Sequence, residues 1–271
     1  MAVLKFLKHN LAEAIKERKW RSQLRHVQGN AITSSAKPFA TDRRILVIAP
    51  HADDELIGCH QLIKNYRDIV TVFYCSLLGS NYSQKNRQVR QAEFERYLAS
   101  QGCNYIISSP DLLKQDLLKA INDVNPGYIF LPSYIDWQKE HRQVNEVLVD
   151  LYSELRDCMI GFYHVSLPIP LVYVSSFSGL TRQNFKYKWA AMRKFYQSQL
   201  HMDIKRFEFI ERASSTATYA LETYIVMSGE KWLGFVQSLK AKLPEIDSLK
   251  ETLGNIKEMH EQTAKIYSTI M

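Results

Sequence analysis

The stretch RILVIAPHADDELIGCHQLI, Arg44 to Ile63, sets an apolar run directly against His51, Asp53, Asp54 and Glu55. Placing that much polarity at the end of a hydrophobic strand is costly unless something there needs charge. A short continuous apolar run is the pattern of a strand covered on both faces, and the residues from Glu55 to Tyr66 return to helical spacing. A strand that runs straight into a helix is the first half of a βαβ unit.

The same alternation continues along the chain. Strand candidates are RILVIAP, IVTVFYCS, NYIISS, GYIFLP, MIGFYHV and PLVYVSS. Helices are predicted between them, from Glu55 to Tyr66, Gln84 to Gln101, Leu112 to Val124 and Gln143 to Arg156. This order predicts an α/β fold, Rossmann-like, with a mainly parallel sheet flanked by helices. In such sheets functional groups collect at the carboxyl ends of the strands, and the segments after Ala49 and after Leu131 are the chemically loaded ones. Further helices are predicted from Asn184 to Leu200 and from Leu239 to Ile270. The second restarts at Pro244 and Ser248, where Ser248 and Glu251 form a capping-box pattern. Uneven spacing of the apolar residues in that last segment favours a packed cap over a dimerising coil.

A chain of 271 residues that is 46% hydrophobic can build a substantial core. It contains no apolar run of about 18 residues of the kind that reads as a membrane-spanning helix. Lys5 and Lys8 interrupt the first apolar residues before a signal-peptide centre could form, so the expected location is cytoplasmic. The net charge of +7 is concentrated in residues 1–44, which carry ten Lys or Arg against three Asp or Glu. The body is thus balanced, and no nucleic-acid partner is expected. Leu4, Leu7, Leu11 and Ile15 stand at helical spacing among basic residues, which predicts an amphipathic helix over residues 3–28. Packing on its own domain is the first expectation for this helix, and peripheral contact with an anionic membrane through residues 1–28 is the alternative. The polar segment QGNAITSSAKPFATD reads as a linker. The expected division is a basic helical extension and linker over 1–42, a main domain over 43–228 and a packed helical segment over 229–271. Cys59, Cys75, Cys103 and Cys158 lack any C-x-x-C spacing and read as buried free thiols.

His51 and Asp54 stand three residues apart at a helix start and can converge on one point. Imidazole and carboxylate are suitable ligands for zinc. A third donor is expected from the segment FLPSYIDWQKEHRQVNEV, which supplies Asp136, Glu140 and His141; His141, at the expected start of the next helix, can point back into the crevice. Two histidines and one carboxylate leave a coordination position open, as catalytic sites do. Asp53 beside them is suited to act as general base. Glu55 is expected to favour the helix N-terminus and to support a ligand from behind.

PHADDELIGC, followed some eighty residues later by DWQKEHRQVN, resembles the PIG-L or LmbE-like family of metal-dependent N-acetylglucosaminyl de-N-acetylases. RQVRQAEFERYLASQGC is similar to the family's R-x-x-E helix and KWAAMRKFYQSQ to its later K-x-x-A segment, so the resemblance extends over roughly residues 44–225. It implies His51, Asp54 and His141 as ligands of one Zn2+ per chain, with other divalent metals as alternatives, and Asp53 as general base. It aligns Arg90 with a position that reaches the substrate sugar, and makes Glu93 structural. Ala52 replaces the family's proline, and His60 and Gln61 replace two glycines. Gln138 stands where the family often carries a histidine; glutamine can donate a hydrogen bond to an oxyanion but cannot supply a proton. Without that histidine, Asp53 is expected to return the proton it took. Asp136 is expected to orient a ligand histidine, Glu140 to hydrogen-bond His141 or Gln138, and Trp137 to stack on a sugar face. Asn81, Tyr82, Ser83, Tyr196 and His201 are further polar candidates. The expected activity is zinc-dependent hydrolysis of the acetamide of an N-acetylglucosamine-type conjugate. The alternatives are a catalytically impaired metal- and glycan-binding relative, and a zinc amidase acting on another N-acyl group. Oligomeric state is not specified by the sequence.

Overall fold

The computed structural model describes residues 11, 14–23, 36–78, 83–155, 157–214 and 219–271. Among the described residues the decisive strand is the second of eight: β1 Lys37–Pro38, β2 Ile45–Ala49, β3 Val70–Tyr74, β4 Asn104–Ile107, β5 Tyr128–Pro132, β6 Met159–Tyr163, β7 Ser176–Leu180 and β8 Ala220–Ser228. All five side chains of β2 are buried. Leu46 and Ile48 join one hydrophobic core, and Ile45, Val47 and Ala49 join the other, on the opposite sheet face. That two-sided burial is why the strand reads as an unbroken apolar run.

The sheet order is β1-β7-β8-β6-β5-β2-β3-β4. Every pairing is parallel except those of β8, which runs antiparallel to both β6 and β7. The expected α/β architecture is therefore observed. From β2 the chain moves outward to β3 and β4, then returns to place β5 on the other side of β2. The connections after β2 and β5 diverge from a common point, which opens a crevice at the carboxyl ends of these strands. Among the described residues the helices are α1 (residues 14–23), α2 Asp54–Tyr66, α3 Gln84–Gln101, α4 Leu113–Val124, α5 Lys139–Asp150, α6 Arg182–Phe195, α7 Ile204–Ala213, α8 Gly229–Lys240, α9 Leu243–Ser248 and α10 Ile256–Ser268.

Several local expectations change. The predicted strand PLVYVSS is a 3-10 turn at Leu171–Tyr173 entered from Pro170, and the strand begins only at Ser176. Proline supplies no donor to a ladder and feeds a turn instead. The helix predicted from Gln143 begins earlier, at Lys139, and ends at Asp150. Ser248 does not cap a helix: its hydroxyl donates to the Glu245 carbonyl at 2.7 Å. The final helix starts from Asn255, whose side chain accepts from the Glu258 N–H at 3.4 Å.

In the basic extension, the remainder of the predicted 3–28 helix lies outside the described residues, as do Leu4 and Leu7. The inner face of α1 is not the expected leucine stripe but Lys16, Trp20 and Gln23. Trp20 is buried against Phe209 of α7, edge to face at 5.5 Å between ring centres. Lys16 pairs with Asp203, Lys205 with Glu17 at 2.5 Å, and Gln23 donates to Asn255 at 2.6 Å. Leu11 and Ile15 remain 63% and 61% exposed. All four cysteines are buried and free. No described helix is long and apolar enough to cross a membrane.

Candidate metal centre

The turn from β2 into α2 carries the first donors. Asp53 at its end has φ 125° and ψ −22°, a conformation that costs a non-glycine residue roughly 1–3 kcal/mol. The surroundings hold it there. Glu55 accepts the Asp53 N–H at 3.2 Å, Ile57 donates its N–H to the Asp53 carbonyl at 2.8 Å, and buried Gln199 donates to the Ala52 carbonyl at 3.3 Å. Glu55, expected behind a metal ligand, instead supports the Asp53 backbone and accepts from the Tyr196 hydroxyl. Burial pushes its carboxyl up to about 8.

His51, Asp54 and His141 converge. His51 Nδ1 lies 3.1 Å from His141 Nε2, and Asp54 Oδ2 lies 3.2 Å from the first and 3.3 Å from the second. Ligands at about 2.0–2.2 Å around a tetrahedral ion stand roughly 3.3–3.6 Å apart, so the three atoms nearly form one face of such a tetrahedron. The His51 N–H fixes the same carboxylate oxygen at 2.8 Å. His141 is aimed from behind: its Nδ1 is 3.0 Å from Asp136 Oδ2, which leaves Nε2 for the centre. Asp136 is itself held by the N–H groups of Gln138 at 3.0 Å and Ser166 at 3.2 Å. A carboxylate behind a ligand histidine orients the ring and raises its basicity.

The charge pattern agrees with a cation at this point. Burial alone would raise Asp54, yet His141 and His51 beside it hold its carboxyl well below the usual range. Burial would lower His141, but Asp54 and Asp136 hold the imidazole up to about 10. Two buried carboxylates thus demand positive charge between them, which a divalent ion with neutral imidazoles satisfies. Asp53 moves the other way. Burial, reinforced by Asp54, pushes its carboxyl well above the usual range.

The centre opens into a cavity of about 440 Å³, within the size range of small-molecule sites. His51, Asp53 and Asp54 line its floor together with Arg90, Trp137 and Gln138. Arg90, on α3, is buried. Gln138 donates its Nε2 to Ser166 Oγ at 2.7 Å. Glu140 lines the cavity but makes no hydrogen bond to Gln138 or His141 among the described residues. Glu93, read as structural, accepts from both the N–H and the hydroxyl of Ser198, at 2.8 and 2.5 Å. His60 lies away from the cavity, fully buried, with Nδ1 2.8 Å from the Tyr97 hydroxyl. Asn81 and Tyr82 lie outside the described residues. Ser83 caps α3 by accepting from the Asn86 N–H at 3.2 Å.

A buried charge cluster behind α2 escaped the sequence reading. Cys59 breaks α2 with φ −135° and ψ 16°. The backbone groups around the break find partners in other elements. Glu222 of β8 accepts from the N–H groups of Gln61 at 2.9 Å and Leu62 at 3.3 Å, and Lys188 of α6 donates to the Ile57 carbonyl at 2.7 Å. Lys188 also pairs with Glu222 at 2.8 Å and with Glu211 of α7. The three residues come from distant segments, and only the K-x-x-A resemblance around Lys188 marked any of them.

The PIG-L family, described as GlcNAc-PI de-N-acetylase, matches residues 46–152. The N,N'-diacetylchitobiose deacetylase of Pyrococcus horikoshii has a similar fold, with a TM-score of 0.55, 18% identity, 80% of this chain covered and 94% of that one. An A40926 pseudoaglycone deacetylase is similar at a TM-score of 0.53 and 16% identity, over 68% of this chain and 97% of that one. GalB, a 4-carboxy-2-hydroxymuconate hydratase of Pseudomonas putida KT2440, is similar at 0.50 and 13%, over 68% and 95%. No curated protein matches in sequence. The chain therefore carries the PIG-L family pattern over residues 46–152 and shares its α/β fold with LmbE-like de-N-acetylases.

Proposed function

We propose that the protein is a zinc-dependent de-N-acetylase that hydrolyses the acetamide of an N-acetylglucosamine-type sugar conjugate. The observation that carries this reading is the convergence of His51 Nδ1, Asp54 Oδ2 and His141 Nε2 beside a cavity lined by His51, Asp53 and Asp54. The deacetylase names of two structural neighbours and the PIG-L match support it.

Zinc, or another divalent ion of similar ligand preference, would be held by His51, Asp54 and His141, where it supplies polarisation of the acetyl carbonyl and acidification of water. Asp53 takes the proton of the attacking water on its carboxylate. Its fixed backbone keeps the base in place. Arg90 and Trp137 bind and orient the sugar, Arg90 as hydrogen-bond donor and Trp137 as an apolar face. Gln138, pinned to Ser166, presents an amide to the reacting carbonyl.

The test is acetate release from a panel of N-acetylglucosamine conjugates by the metal-replete protein, wild type beside Asp53→Asn. Replacing the general base is expected to lower the rate by about 10²- to 10⁴-fold with metal content unchanged. Equal rates for the two proteins at equal metal content would sink the assignment.

A further inference from the structure

When the C–N bond of an acetamide breaks, its electron pair leaves with nitrogen, which must receive a proton at that moment to depart as an amine. The groups around the cavity narrow the choice of donor. Gln138 has no proton to give, and its Nε2 is already engaged with Ser166. A guanidinium is not a proton donor in proteins, which sets aside Arg90 and Arg206 on the wall. His51 belongs to the ligand set. Beside the carboxyls Asp53, Glu140 and Asp203, the remaining imidazole on the cavity wall is His201.

We propose that His201 is the catalytic acid that protonates the leaving nitrogen, a role that rests on the function proposed above. Its placement is built rather than incidental. The turn Gln197–Gln199 that precedes it is tied to the metal loop, because buried Gln199 donates to the carbonyl of Ala52, next to Asp53. The same turn is tied to α3, because Glu93 accepts two hydrogen bonds from Ser198. Ser198 in turn holds the imidazole: its carbonyl lies 3.1 Å from His201 Nδ1. A carbonyl only accepts, so Nδ1 carries a proton and Nε2 is the nitrogen that exchanges one. The chain Glu93, Ser198, His201 thus does for an acid what a carboxylate behind a histidine does for a base: it fixes the tautomer and the aim of the ring. The ring is also exposed, so it can recharge from solvent.

The step balances. With His201 as imidazolium, Nδ1–H stays on the Ser198 carbonyl while the Nε2 proton passes to the nitrogen as the C–N bond breaks. The neutral imidazole regains a proton from solvent, and Asp53 releases to solvent the proton it took from water. Acetamide and water become acetic acid and amine.

The test compares wild type, H201Q and H201A, each metal-replete, on N,N'-diacetylchitobiose and on 4-nitrophenyl acetate, whose phenolate leaves without a proton. For H201Q, kcat on the acetamide is expected to fall about 10²-fold or more with KM within about twofold, while ester hydrolysis changes by less than about threefold. Added imidazole is expected to restore acetamide hydrolysis to H201A. Equal losses on both substrates would show that His201 only supports the fold of the site and would overturn the inference. Unchanged acetamide hydrolysis in H201Q would overturn it as well, with Asp53 returning its own proton. A wild type that hydrolyses no acetamide overturns the proposed function and this role together, which separates that failure from the other two.

Discussion

Lys188→Met offers a direct measure of how the buried charges behind α2 support the site. Lys188 has no solvent exposure, and its ammonium meets Glu211, Glu222 and the Ile57 carbonyl. Methionine keeps most of the volume but leaves two buried carboxylates facing each other without a cation. Removing one partner of a buried ion pair costs about 3–5 kcal/mol, so a loss near 4 kcal/mol, about three decades in the folded-to-unfolded ratio, is expected at pH 7.5. The pH dependence has a definite sign. Burial already pushes Glu211 up to about 7 in the wild type, above its ordinary value near 4.5. A carboxyl whose folded value is raised adds stability when protonated, below its ordinary value, and loses it as pH rises through the folded one. Without Lys188 the folded value rises further, so at pH 5.5 the variant takes up a proton and recovers part of the loss. Urea unfolding followed by tryptophan fluorescence at pH 7.5 and 5.5 reads both quantities. A loss under about 1 kcal/mol, or one equal at the two pH values, would refute the reasoning.

Gly58→Ala would place a Cβ 2.1 Å from Cδ2 of Tyr163, whose hydroxyl is fixed to the Ile48 carbonyl at 2.7 Å. A loss of about 1–3 kcal/mol in urea unfolding is expected, and Gly58→Ala combined with Tyr163→Leu should recover part of it. His141→Ala is expected to lower bound zinc, measured by elemental analysis after dialysis, to well below one ion per chain, whereas Asp53→Asn should retain it; full occupancy in His141→Ala would remove the centre. Trp20→Ala opens the contact between α1 and α7 and should cost about 3–5 kcal/mol if α1 unfolds only with the body. Hydrogen exchange that accelerates in α1 alone would mean the extension detaches on its own.

The difference between what the sequence disclosed and what it withheld follows from distance along the chain. The proximity of His51, Asp53 and Asp54 was legible because one turn at the end of a buried strand holds all three. Asp136 and His141 were legible because they follow a second apolar run, and β5 proves to be the sheet neighbour of β2. Residues that act through long-range packing gave no such signal. Glu222 interrupts an apolar segment, which hid β8, the antiparallel strand between β6 and β7. Its charge is there to satisfy backbone groups at a break in α2, a need that arises only after α2, α6 and β8 have packed. Glu55 was assigned to the wrong partner for a related reason. Its neighbour in sequence is Asp54 of the proposed metal site, but its hydroxyl donor, Tyr196, comes from the segment after α6. That segment also brings Gln199 to the carbonyl of Ala52 and His201 to the cavity wall. The cluster of His51, Asp54 and His141 is therefore a property of two strand ends, whereas the strain at Asp53 and the proposed acid both depend on the turn after α6. Substitutions in that turn should change catalysis more than metal binding.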